Sequence, residues 1–188
     1  MPNIPSRKTP DPEPGLNSVF LDLYEQPGHL FRRSQQISVS IFYEILGDEV
    51  TPIQYAILRM LHERPGTDQK TLAGLVALDT SSTATTAERL EAKGLIVREL
   101  HIAGRRQRLL FLTPEGQSLL SSMVDGMQKM QNEMFRDFQP DEREDLMRLL
   151  HKFVSVNNAR SRVPLEMAGS VDAPPTRVRT KGPANKQR

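Results

Sequence analysis

Six hydroxyl side chains crowd one short run: Thr80, Ser81, Ser82, Thr83, Thr85 and Thr86, with Arg89 following. Such hydroxyls hydrogen-bond to phosphate oxygens and to base edges, and their small size lets a backbone approach closely. So many of them are a poor recipe for a helix, because they compete for backbone hydrogen bonds. The alternative is that they only cap and solubilise a helix start. Asp79, just before them, suits a cap better than a contact, since a carboxylate beside phosphates repels. Arg89 offers a cation to a phosphate or a base; the competing reading is a surface ion pair with Glu88 or Glu91. Arg105 and Arg106 follow Ala103-Gly104 at the tip between two apolar runs. There they reach an adjacent DNA backbone or minor groove, or remain a solvated hairpin tip. Gln69 and Lys70 open the preceding helix, where backbone N–H groups favour a phosphate, and are weaker candidates.

The surrounding elements must position this chemistry. Leu30, Ile37, Ile41, Phe42, Ile45 and Leu46 recur at helical spacing after Pro27-Gly28, until Gly47-Asp48. A shorter helix is expected over 16–24. Thr51-Pro52 opens the next helix, with Ile53, Ile57, Leu58, Met60 and Leu61 as its buried stripe and Pro65-Gly66 as its stop. Thr67 or Asp68 caps a helix bearing Leu72, Leu75 and Val76. Asp79 caps the hydroxyl-rich helix, which ends at Lys93-Gly94. Leu95-Ile96-Val97 and Leu109-Leu110-Phe111-Leu112 read as two strands. Thr113-Pro114 begins a long amphipathic helix with Leu119, Leu120, Met123, Met127, Met130, Met134 and Phe138. Pro140-Asp141 begins a last one with Leu146, Leu149, Leu150, Phe153 and Val154.

The expected class is mainly α with a small β-ribbon wing: a winged helix-turn-helix over about 50–113, with helical dimerisation regions at about 27–47 and 114–160. The whole occupies 16–160. Residues 1–15, with five prolines, and the basic stretch 161–188 are expected to be disordered tails. The outer helices carry apolar faces that do not close a core alone, and a second copy is the natural cover. A two-fold dimer places paired helices roughly 34–36 Å apart, one turn of double-stranded DNA, and implies a near-palindromic operator.

Net charge is only +2, and it conceals an asymmetry. Positions 160–188 hold seven basic residues against Glu166 and Asp172; of 25 basic and 23 acidic residues, 18 and 21 remain for 1–159. The argument for nucleic acid is therefore local. Arg89, Lys93, Arg98, Arg105, Arg106 and Arg108 lie within twenty residues, opposed by Glu91 and Glu99. Cysteine is absent, which removes thiol sensing and thiolate metal sites. His62, His101 and His151 lack ligand spacing, so no metal and no cofactor is expected. No apolar run suits a membrane span and the first fifteen residues lack a signal-type core, so a cytoplasmic protein is expected. An enzyme finds no support: there is no phosphate loop, nucleophile elbow or usable carboxylate pair.

These residues resemble the MarR family of bacterial regulators. The matching signs are Leu72-Ala73, Thr83, the run Arg89-Leu90-Glu91-Ala92-Lys93-Gly94-Leu95-Ile96, the pair Arg105-Arg106, and Leu112-Thr113-Pro114-Glu115-Gly116. The resemblance covers roughly 25–158. One departure is plain: the family usually has Asp before the wing arginines, and here Gly104 stands there, which implies a looser or otherwise braced wing.

The resemblance implies a homodimeric repressor released from DNA by a small molecule. The stretch Pro27-Gly28-His29-Leu30-Phe31-Arg32-Arg33, then Gln35-Gln36, looks like members that control aromatic-acid breakdown. A cleft lined by Phe31, Ile41, Phe42, Tyr43, Tyr55 and methionines suits a flat ring, and a cation pairs with its carboxylate. His29, Arg32 and Arg33 are the candidate cations, with Gln36, Ser40, Tyr43 and Tyr55 for the ring substituents. For each, packing or a surface ion pair is the competing reading. A second class is a non-sensing DNA-binding or architectural protein that acts through a partner.

Overall fold

Four helices begin on proline, a residue whose missing N–H costs nothing in a first turn. The computed structural model describes residues 22–101 and 107–165. In chain order the elements are α1 (Pro27–Leu46), α2 (Pro52–Glu63), β1 (Thr67–Asp68), α3 (Gln69–Leu75), α4 (Thr80–Ala92), β2 (Ile96–His101), β3 (Gln107–Leu112), α5 (Pro114–Ser122), α6 (Val124–Met134) and α7 (Pro140–Asn157). The chain divides into two compact units, 1–40 and 41–188.

In the first unit a 3-10 turn, Leu23–Glu25, precedes α1, with Asp22 accepting the Tyr24 N–H. Of the helix expected over 16–24, residues 16–21 lie outside the described residues, and 23–24 fall in this turn.

The second unit is organised around Phe42, Ile57, Leu58, Leu61, Leu72, Leu90, Ile96, Leu110 and Leu120, all buried. Within α2 the expected stripe fails at one position: Ile53 is 48% exposed, whereas Gln54 is buried. Capping explains the exchange. Gln54 Oε1 accepts the Thr51 N–H while the Thr51 hydroxyl accepts the Gln54 backbone N–H, so the side chain is drawn back over the helix start.

The sheet has three strands in the order β1-β3-β2, all antiparallel. β1 was not expected; two residues carry no alternation to read. Gly94, at φ +71, ends α4 in the left-handed conformation, and Leu95 N returns to Leu90 O. A side chain at Gly116 would run into the Leu95 carbonyl oxygen, so glycine lets α5 close on the start of the wing.

The single long helix expected after Thr113 is two, broken at Met123. Ser121 and Ser122 return their hydroxyls to the carbonyls of Gln117 and Leu119, a pattern that bends helices. On α7 the expected apolar stripe is present, with Leu149, Phe153 and Val154 about half exposed. Past Ser161 the described chain stays fixed to Leu165, whose N–H and C=O both bond the Asn158 side chain. No described helix is long and apolar enough to cross a membrane.

Candidate nucleic-acid interface

One carboxylate sets the start of α4. Asp79 Oδ1 accepts the Ser82 N–H at 2.9 Å and Oδ2 accepts the Ser82 hydroxyl at 2.7 Å. The Ser82 amide, then its hydroxyl, stabilise the charged form and hold this carboxyl near 2, below the ordinary 3.8. Asp79 is thus a cap, as its sequence position suggested.

Asp68 does the same for α3, accepting from the amides of Lys70 and Thr71 and from the Thr71 hydroxyl. Burial works against its ionisation, but those three bonds outweigh it and keep the carboxyl below its usual value. Between the two helices Ala77 takes φ +52, and Leu78 N bonds Ala73 O, closing a tight turn.

The six hydroxyls divide into distinct groups. Thr80, Ser81 and Thr85 are exposed on α4. Ser82 and Thr86 are partly buried; Thr86 donates to the Ser82 carbonyl and Ser82 to Asp79. Thr83 is 0% exposed, and its hydroxyl donates to the Asp79 carbonyl. Its expected role as a contact is corrected: Thr83 faces the core one turn from Asp79, where no external partner reaches it.

Among the cations, Arg89 is exposed and makes no ion pair with Glu88 or Glu91 among the described residues. Lys70 is exposed at the start of α3, and Gln69 Nε2 reaches the Thr80 carbonyl at 3.4 Å, tying the two helices. Arg105 and Arg106 lie outside the described residues.

Two members of the local basic cluster are engaged internally. Lys93 Nζ donates to the Glu49 carbonyl. Arg98, on β2, has Nε 3.2 Å from Glu91 Oε2 and Nη1 4.0 Å from Glu88 Oε1. Its side chain is only 13% exposed. By distance this is an ion pair, yet neither Nε nor Nη2 aims an N–H at an acceptor among the described residues. The contact is one of charge rather than of aligned hydrogen bonds. Arg98, Glu91, Leu100 and Arg108 line a cleft of about 570 Å³ between α4 and the wing. Counting charges along the chain missed this pairing, because it joins a helix to a strand across a turn.

The suggested effector residues fall into two groups. In the first unit His29, Arg32, Arg33 and Gln36 form a polar cluster. Arg32 and Arg33 each donate to Gln36 Oε1 at 3.1 Å, and Arg32 Nη2 lies 3.4 Å from His29 Nδ1. The His29 ring meets Tyr24 edge-on, at 5.4 Å between centroids. Two guanidiniums thus share one neutral acceptor, and the first turn of α1 has no acid. Ser40 is exposed at the end of this unit. In the second unit Tyr43 and Tyr55 both meet the Phe42 ring edge-on. Phe42 itself, expected to line a cleft, is buried in the core.

A helix pair joined by a tight turn, with exposed hydroxyls and a free arginine on the second helix and a two-stranded ribbon behind it, defines a winged helix-turn-helix DNA-binding protein. Comparison with known proteins agrees. Residues 50–107 match the model of the MarR family. The HTH-type transcriptional repressor NicR of Pseudomonas putida is 28% identical over 150 residues, covering 79% of this chain and 95% of its own. The PcaV transcriptional regulator of Streptomyces coelicolor, solved in complex with its natural ligand, is 31% identical with a TM-score of 0.68 over 72% of this chain and 96% of its own. Bordetella bronchiseptica BpsR, whose structure concerns regulation of its DNA binding by 6-hydroxynicotinic acid, is 30% identical with a TM-score of 0.67 over 71% and 96%. The chain belongs to the MarR family, and it is a DNA-binding transcriptional regulator.

Proposed function

We propose that this protein is a cytoplasmic homodimeric repressor that leaves a near-palindromic operator when a small aromatic carboxylate binds. Thr80, Ser81 and Thr85 on the exposed side of α4, with Arg89 beyond them, meet base edges and phosphates; Ser82, Thr86, Gln69 and Lys70 support them. The sequence adds Arg105 and Arg106 as candidate DNA contacts. The observation that carries this reading is the fixed start of α4, where Asp79 is consumed as a cap and Thr80, Ser81 and Thr85 are exposed. The half-exposed apolar side chains of α7, Leu149 and Val154 among them, support dimerisation, since they are large to be left in water. No catalytic step is assigned to the chain.

For the effector, the shared acceptor of Arg32 and Arg33 supports an anionic ligand. A carboxylate would replace the neutral Gln36 oxygen with a charged partner, adding charge attraction and a two-oxygen fit to the guanidinium fork. In the first unit His29 is a further candidate cation and Ser40 a hydroxyl partner; in the second, Tyr43 and Tyr55 offer aromatic surface and hydroxyls of their own. BpsR supports the ligand class, as 6-hydroxynicotinic acid is an aromatic acid.

The test is a titration of a duplex selected by the protein from a randomised library, followed with salt and with aromatic acids. Steep loss of affinity with salt and release by an aromatic acid are expected. Binding that is flat in salt, or a full panel of acids that shifts neither melting temperature nor affinity, overturns the reading.

A further inference from the structure

We propose that Arg98 is a positioning residue for DNA binding: it holds the carboxylates of Glu88 and Glu91 against the wing and away from the phosphates that α4 approaches. The inference rests on the assignment of α4 as the DNA-reading helix. Glu88 and Glu91 lie on the same helix as Arg89, at 64% and 41% side-chain exposure, and no other cation pairs with either among the described residues. Left alone, two carboxylates beside Arg89 would oppose any approach to DNA, as like charges do over a few ångströms. Arg98 reaches both from the neighbouring strand, with its guanidinium largely buried between helix and ribbon. Its single positive charge offsets one of the two negative charges and draws both carboxylates toward the ribbon. Arg108, opposite Leu100 on the paired strand, lines the same cleft and is exposed.

The missing alignment at Nε and Nη2 sharpens the inference. If charge rather than hydrogen-bond geometry does the holding, lysine at this position should serve nearly as well as arginine. That is the opposite of what a bidentate phosphate or base contact would require.

The experiment compares R98M, R98K, E88Q/E91Q and the triple variant E88Q/E91Q/R98M on the duplex selected by the wild-type protein, with affinity measured across a salt series. R98M is expected to weaken binding about fivefold, the scale of a partly exposed charge pair. Its salt slope should stay at the wild-type value, since no phosphate contact is lost. R98K should stay within about twofold of wild type, and the triple variant within about twofold of E88Q/E91Q, because with the acids gone the arginine has nothing left to hold. A slope shallower by about 0.9 in R98M would mark Arg98 as a direct phosphate contact and overturn the proposal. So would an R98K loss as large as that of R98M, or a triple variant that fails to recover. R98K keeps the test decisive if R98M does not fold. Failure of the wild-type protein to select any duplex would strike instead at the role of α4.

Discussion

Asp79 and Ser82 are joined twice, amide to Oδ1 at 2.9 Å and hydroxyl to Oδ2 at 2.7 Å, and this double bond fixes the first turn of α4. Its consequences are measurable. The Asp79 carboxyl titrates near 2 in the folded protein, below its ordinary 3.8. A depressed folded value means stability that is present above 3.8 and is lost as pH falls towards 2. Asp79→Asn keeps a capping oxygen without a titrating group. In acid unfolding followed by circular dichroism, the variant should lose less stability across that window than the wild type. Equal losses in both would show that the cap does not titrate as described.

The buried and exposed hydroxyls of α4 should separate cleanly on mutation. Ser81→Ala combined with Thr85→Ala is expected to lower operator affinity about tenfold with an unchanged melting temperature, the scale of a good base or phosphate contact set. Thr83→Val removes a hydroxyl that donates only to Asp79 O, a carbonyl that also accepts Thr83 N. It should leave DNA affinity alone and change stability by no more than about 1 kcal/mol. Anisotropy and thermal melts on the same preparations decide between these outcomes.

Arg89 gives a simpler reading. As an exposed cation with no ion pair among the described residues, it should account for about one released counterion. Arg89→Ala is expected to reduce the salt slope of binding by about 0.9; an unchanged slope would remove it from the interface.

Gly116 is a steric prediction. Adding a Cβ there drives it into the Leu95 carbonyl oxygen, which is backbone and cannot swing aside. Gly116→Ala should destabilise by about 1–3 kcal/mol, the usual cost of overpacking. Gly94→Ala meets no neighbour, and its cost, about 1–2 kcal/mol, comes only from its left-handed backbone. Chemical denaturation of both variants orders the two effects.

For the effector, Arg32→Ala and Arg33→Ala should each abolish or strongly weaken release by an aromatic acid while preserving operator affinity in its absence. Loss of DNA binding in either variant would instead point to a role for this cluster in assembly.

Much of this architecture was legible in the residues, and the failures have physical causes. Thr-Pro and Asp caps, with glycine at the end of α4, announced helix boundaries because they satisfy backbone groups locally. The two-residue strand β1 was invisible, since its evidence is a pairing with Leu109 and Leu110 some forty residues away. Periodicity likewise placed Ile53 inside, where a capping contact put Gln54 instead. At the candidate interface, composition marked the hydroxyl-rich helix but could not tell Thr83 from Thr85. Those two differ only in which side of α4 they occupy. Arg98 was counted with the free cations because its partners sit on another element.

Asp68 belongs to two structures at once: it pairs with Leu109 in the sheet and caps α3. The ribbon and the helix pair are thereby stitched into one stiff reading head, which cannot bend at that seam without breaking both.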